Sequence, residues 1–472
     1  MNKKITARSQ DFSQWYLDLI YEAELIDQSP TKGCMVMRPA GYAIWEMIQK
    51  NIDAKIKALE VKNCYFPLLI PEEFLQREAK HVEGFSPELA VVTHAGGKEL
   101  EEKFVIRPTS ETIIYYMFSR WIKSWRDLPL KINQWANVMR WEMRTRPFLR
   151  TTEFLWQEGH TAHTTKEEAL DMVAAALQMY KTFAHDVLAI PVITGRKSEA
   201  EKFPGAEKTF TFEGLMPDGK ALQMGTSHLL HLSFPASFNV SFQNKENNPE
   251  TPWCTSWGTT TRLIGALVMT HSDDKGLVLP PEVAPTQVVI IPVGPEAKRQ
   301  EVMIVVEKLY EELKQIQVRA TIDSRSELSP GAKFYDAELK GIPLRIELGP
   351  NDIAANICIV KSRISDEKQR IELEGAAQII QSELQKMQGE LLHRATLKRD
   401  SLIEEVTSYK DFEQVLEAGK AIITGWCADP ACEQELKKVK AFTRCWLETK
   451  KQTACFYCAK PSINDVLVAK SY

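Results

Sequence analysis

Ile44, Ile48, Ile52 and Ile56 recur at every fourth position, which lines them along one face of a helix. Pro39 suits a first helical turn, so the spacing predicts a helix over 39–59. A strand over 64–70 follows, closed by Pro67 and Pro71. Two antiparallel strands are then expected, 133–144 and 150–160, joined by a loop containing Pro147. Leu170, Val173, Leu177, Tyr180 and Val187 or Leu188 fall near one face of a helix over 166–188. A loop-rich stretch, 196–220, precedes a strand ending at Gln223, and one or two more strands lead to Trp257 and Gly258. From Thr259 the pattern is apolar and helical through Met269.

Pro280, Pro281 and Pro285 mark a boundary. Beyond it come a strand 287–292, helix 296–314, strand 318–322 and helix 331–340, which Gly341 can stop. Strands 344–348 and 356–361 and a helix 372–388 complete a small α/β domain. The expected division is 1–285, 286–390 and 391–472, in keeping with about three domains for 472 residues.

Composition changes this picture little. At 44% hydrophobic and 26% charged, the chain is neither disordered nor collagen-like. No run approaches the roughly 18 apolar residues of a membrane span, and no apolar stretch follows the basic N-terminal residues. A cytoplasmic protein without a membrane contact is expected. Net charge is −4; residues 285–390 carry 14 Lys and Arg against 17 Asp and Glu, and 391–472 carry 13 against 11. Charge alone gives no nucleic-acid footprint.

Five of the nine cysteines lie between 427 and 458. Cys427-x4-Cys432, 22 residues and Cys455-x2-Cys458 suit a tetrahedral zinc site, with Cys445 a competing ligand and a reduced, metal-free cluster the alternative. Cys34, Cys64, Cys254 and Cys358 read as small buried apolar residues.

In a strand, Arg140 and Glu142 point one way and Trp135, Met139, Trp141 and Met143 the other, while Arg150 and Phe154 share a face of the next strand. An arginine fork, a carboxylate and a ring suit the phosphate, amine and base of a nucleotide. The same pattern fits a solvated face with surface ion pairs. Arg262, at the junction after Trp257-Gly-Thr-Thr-Thr, could add a phosphate ligand.

Taken in order, these segments resemble the three motifs of class II aminoacyl-tRNA synthetases. Thr109-Ser-Glu111, Trp135–Glu142, Phe148–His160, Gln223-Met-Gly-Thr-Ser-His228 and 257–262 resemble the prolyl-tRNA synthetases, in the archaeal/eukaryotic-like subtype with a cysteine-bearing extension. The resemblance implies an antiparallel-sheet catalytic domain, an α/β anticodon-binding domain and a small C-terminal α+β domain. It implies ATP with Mg²⁺, L-proline and tRNA(Pro) as partners, a homodimer, and zinc at the cysteine cluster. Thr109 and Glu111 match residues that hold the proline nitrogen, Arg140 bridges carboxylate and α-phosphate, and His228 lies in the proline pocket, with Phe203 a further lining residue. Glu142, Arg150, Thr151, Phe154, Gln223, Thr226, Thr260 and Arg262 match nucleotide contacts. His160 and His163 read as structural or supporting, and Thr109-x-Glu111 also fits a capping box opening a helix at 111. Arg345 and Glu347 share a strand face in the segment resembling the anticodon-binding domain; guanine recognition by Glu347 and an exposed ion pair with Arg345 both fit. Similar proteins tuck a C-terminal tyrosine carboxylate, here Tyr472, toward the active site. Relatives of the bacterial type insert an editing domain in an interval that here, between His160 and Trp257, holds only 96 residues.

Overall fold

The computed structural model describes residues 5–79, 89–231 and 233–472. Helix Pro39–Ala58 begins with proline in its first turn and buries Ile44, Ile48, Ile52 and Ile56 against Trp15, Tyr16 and Ile20. That stripe packs behind a sheet of 11 strands. Its central run is antiparallel: Val192–Arg196, Lys208–Leu215, Ala221–Leu230, Trp253–Thr260, Glu153–His163 and Leu130–Met139. Gly159 is required here, because a Cβ would collide with the Trp257 ring on the neighbouring strand.

Several boundaries differ from expectation for local reasons. In place of a strand over 64–70, short strands form at Lys62–Asn63 and Leu69–Pro71; Pro67, without a backbone N–H, sits in the gap. The paired strands are Leu130–Met139 and Glu153–His163, not 133–144 and 150–160. Arg140 N still donates to Thr152 O, but the chain then leaves the ladder through Pro147 and Phe148, which has φ +59°. Arg140, Glu142, Arg150 and Thr151 are therefore loop residues, and strand alternation does not set their directions. The stretch 196–220 holds a largely buried strand, Lys208–Leu215, and Gln223 lies near the start of the next. Asp218-Gly219 makes the turn between them, with Gly219 at φ +79°.

The second sheet has five strands, three parallel (Ala320–Ile322, Val288–Pro292, Leu344–Leu348) and two antiparallel (Ile357–Ser362, Lys368–Glu372). Helices Arg299–Gln315 and Pro330–Leu339 form as expected, the latter stopped by Gly341 at φ +69°. The last helix starts later than expected, at Ala376, because 368–372 forms a strand. It runs to Ser401, so residue 390 lies inside it.

The C-terminal strands do not form a separate sheet. Ile403–Glu405, Ala421–Trp426, Asn464–Ala469 and Phe442–Trp446 extend the catalytic sheet through one paired position, Trp446 with Arg196.

Candidate active site

The antiparallel strands carry a cleft of about 350 Å³. Thr109, Glu111, Arg140, Glu142, Arg150, Thr151, Phe154, Gln223, Thr226, His228, Thr260 and Arg262 all line it, as does Phe203. One end carries a carboxylate, hydroxyls and an imidazole. The Thr109 hydroxyl donates to the Glu111 carboxylate, and both residues are buried. Ser110 caps helix Glu111–Trp121 without a side-chain bond, so the capping box does not form. His228 is held by Thr209 Oγ1 at Nδ1 and Thr226 Oγ1 at Nε2, each at 2.9 Å, with Phe203 against its ring. Burial, with nearby His160, pushes His228 down to about 3, so it is neutral.

The middle of the cleft is cationic. Arg140 Nε donates to Pro108 O at 3.0 Å and its guanidinium lies over Phe154 and Trp156. Arg262 donates to Leu149 O and Gln223 O, both at 3.0 Å. Thr260 Oγ1 accepts from Arg262 N, which ties the strand end to the helix start. Burial, then the charge of Arg140, lowers Arg262 to about 10, leaving it charged at neutral pH. At the rim, exposed Arg150 pairs with Glu142 at 2.7 Å, and the Thr151 hydroxyl donates to Glu153 O.

Glu158 and Trp156 line the same cleft and were missed. The signal was present: in strand Glu153–His163, Phe154, Trp156, Glu158 and His160 alternate onto one face. His160 lies in the lining too, bonded to Glu158 at 2.8 Å. Burial pulls His160 down, but the bond to Glu158 and the charges of Glu158 and Glu111 together outweigh it and the net direction is upward.

Two sites lie apart from the cleft. Cys427, Cys432, Cys455 and Cys458 bring four sulfurs within 4.8 Å of one another. The pairs at 3.6 and 3.8 Å match the sulfur separation of about 3.8 Å that tetrahedral Zn–S bonds of about 2.3 Å produce. Cys445 lies in strand Phe442–Trp446, buried against Leu467 and Ala421, outside this group. In the five-stranded sheet, Glu347 is buried and accepts from Arg345 at 2.9 Å and Lys368 at 2.7 Å. The pair is thus sequestered rather than exposed.

Comparison with known proteins agrees with this geometry. Residues 92–271 match the tRNA synthetase class II core domain (G, H, P, S and T), 287–383 the anticodon binding domain, and 409–472 the prolyl-tRNA synthetase C-terminal domain. The fold and cleft define a class II aminoacyl-tRNA synthetase. The proline--tRNA ligase of Chloroherpeton thalassium is 49% identical, and proline--tRNA ligase 2 of Clostridioides difficile 47%; both alignments cover 100% of this chain, with 100% and 98% of those proteins. Two crystal structures of Cryptosporidium parvum prolyl-tRNA synthetase are similar to it, one complexed with halofuginone and AMPPNP and one with L-proline and AMP. Their TM-scores are 0.94 and 0.93 at 42% and 41% identity; 99% of this chain matches 99% and 96% of those chains. The chain belongs to the prolyl-tRNA synthetase family.

Proposed function

We infer that this chain joins L-proline to ATP as prolyl-adenylate and passes the prolyl group to tRNA(Pro). The observation that carries the reading is the single cleft that sets an acceptor pair, Thr109 and Glu111, beside two arginines oriented by neutral carbonyls. Proline's secondary ammonium has two N–H donors. The Glu111 carboxylate and the free lone pairs of the Thr109 hydroxyl supply acceptors of matching number. Arg140 reaches toward both the carboxylate and the α-phosphate, and Arg262 toward the phosphates. Phe154 offers a face to the adenine, with Glu142, Arg150, Thr151, Gln223, Thr226 and Thr260 around the nucleotide.

The proline carboxylate attacks the α-phosphorus and pyrophosphate leaves. The terminal ribose hydroxyl of the tRNA then attacks the prolyl carbonyl. No side-chain nucleophile is needed; the protein orients the reactants and stabilises phosphoryl charge. Mg²⁺ enters with ATP and supplies further charge neutralisation. ATP–pyrophosphate exchange run across the amino acids tests the reading: proline supports it, and exchange with threonine but not proline overturns it.

The cysteine cluster fits one structural zinc, held by Cys427, Cys432, Cys455 and Cys458. Elemental analysis then finds about one zinc per chain, kept in Cys445→Ser and lost in Cys455→Ser; the reverse pattern reassigns the fourth ligand. Arg345 and Glu347 are candidates for reading the anticodon, each exchanging a present partner for a base. Exposed Val36, Tyr42 and Tyr65 on the first helix–strand region support a homodimer. No described helix is long and apolar enough to cross a membrane; the cytoplasm, where tRNA is charged, is the proposed site of action.

A further inference from the structure

A buried polar network joins the C-terminal domain to the cleft. Ser198 opens the segment between strands Val192–Arg196 and Lys208–Leu215. Its hydroxyl donates to Glu433 Oε1 at 2.6 Å, and the Thr443 hydroxyl donates to the same oxygen. Ser198 and Thr443 are each 1% exposed and Glu433 9%. Glu433 lies on helix Pro430–Glu435 and Thr443 on strand Phe442–Trp446, both in the C-terminal domain. One residue before Ser198, Lys197 donates to Glu213 at 2.8 Å, and Arg444 donates to that carboxylate at 2.9 Å. The two domains thus share two buried carboxylate bridges across a seam that also pairs Trp446 with Arg196 and Ser471 with Ala221.

From Ser198 the connection continues into the cleft. Ser198 O accepts from Lys202 N at 2.9 Å and its hydroxyl accepts from Glu201 N at 3.2 Å, closing a turn. The turn delivers Phe203, whose N–H donates to Thr209 Oγ1 at 3.0 Å and whose ring lies 4.8 Å from that of His228. Thr209 Oγ1 also bonds His228 Nδ1. Glu433 itself is absent from the cleft lining.

We propose that Glu433 is a positioning residue for the amino-acid pocket: through Ser198 it fixes the turn that sets Phe203 and the Thr209–His228 pair. This rests on reading the His228 end of the cleft as the proline pocket. Losing the shared acceptor leaves the buried Ser198 and Thr443 hydroxyls, 3.5 Å apart, without their carboxylate and loosens the anchor of the turn, while the arginines that handle ATP keep their own carbonyl partners. The C-terminal domain thereby sets the affinity for the amino acid from outside the cleft.

Steady-state exchange by the full-length protein tests this. Glu433→Ala and Ser198→Ala each raise the proline KM about tenfold, with kcat and the ATP KM held within about twofold. Glu433→Gln keeps the accepting oxygen and stays near wild type. The double variant, Glu433→Ala with Ser198→Ala, is no worse than Glu433→Ala alone, because both cut one link. Ser198→Ala, which removes a single oxygen from the catalytic side, decides the matter if Glu433→Ala does not fold. Unchanged proline KM in Ser198→Ala, an ATP KM that rises in step, or multiplying effects in the double variant overturns the proposal. A wild-type protein inert with proline overturns the functional reading instead.

Discussion

Arg262 and Arg345 are both drawn partly out of solvent, yet their charges are handled in opposite ways. Arg262 is oriented by the carbonyls of Leu149 and Gln223, and its neighbour Arg140 by that of Pro108. These partners fix direction without cancelling charge. Arg345 donates twice to Glu347 Oε1, Lys368 takes the other carboxylate oxygen, and Phe334 lies 4.2 Å beneath the guanidinium. In the cleft, burial and the charge of Arg140 lower the affinity of Arg262 for its proton, and an incoming polyanion relieves that repulsion, while Arg140 has the carboxylates of Glu111, Glu142 and Glu158 nearby. The anticodon-domain group is a closed network, and any ligand must first displace a partner. Arg140 and Arg262, held by neutral acceptors, are poised for a substrate; Arg345, held by a buried carboxylate, is in the free protein part of the frame.

The largest way to sharpen the contrast is pH. The catalytic half encloses His163, His271 and His228, whose pKa values burial lowers to about 4, about 4 and about 3. Between those values and the usual 6.5, the unfolded chain binds more protons, so stability falls as pH falls. Denaturant titrations at pH 7 and pH 5 should show each histidine removing about 2 kcal/mol at the lower pH. His160, shifted upward, works in the opposite direction. Equal stability at the two pH values contradicts the neutral assignment of these histidines. Next in size, Glu347→Ala should cost about 2 kcal/mol of stability by leaving Arg345 and Lys368 without their shared partner, while proline-dependent exchange is unaffected. A loss of exchange in that variant breaks the separation of the two regions.

The smallest effect expected is none. Between His160 and Trp257 the chain is occupied by helix Lys166–Asp186 and the strands leading to Trp253–Thr260, with no separate domain among the described residues. A pocket that rejects alanine mainly by size discriminates by about 1–3 kcal/mol for a missing methylene, so some alanine enters. Preformed alanyl-tRNA(Pro) should be hydrolysed at the spontaneous rate in the presence of the protein. Hydrolysis well above that rate reveals an editing site elsewhere.

Much of this was legible in the sequence, unevenly. The isoleucine stripe of Pro39–Ala58 and the strand–helix rhythm after Pro285 follow directly from side-chain periodicity, because each element buries one face. The cleft residues were found through the order of short motifs rather than strand alternation. Arg140, Glu142 and Arg150 lie in a loop whose path depends on the Phe148 turn, which periodicity does not report. Glu158 was missed although its period-two relation to Phe154 was visible. Lys208–Leu215 was legible as well and was missed: Thr209, Phe210, Thr211, Phe212 and Glu213 alternate polar and apolar with the period of a strand. The joining of the C-terminal strands to the catalytic sheet rests on contacts such as Ser198 with Glu433, 235 residues apart, which no local pattern carries.

The central claim is that the open arginines of the cleft, and not the paired one in the anticodon-binding domain, drive adenylate formation. Proline-dependent ATP–pyrophosphate exchange measured side by side for Arg140→Ala and Arg345→Ala tests it directly. The account predicts a fall on the order of 10²–10³ for Arg140→Ala, as for other lost transition-state charge contacts, and a rate near wild type for Arg345→Ala. Arg140→Ala within about threefold of wild type, or an equal fall in Arg345→Ala, contradicts it.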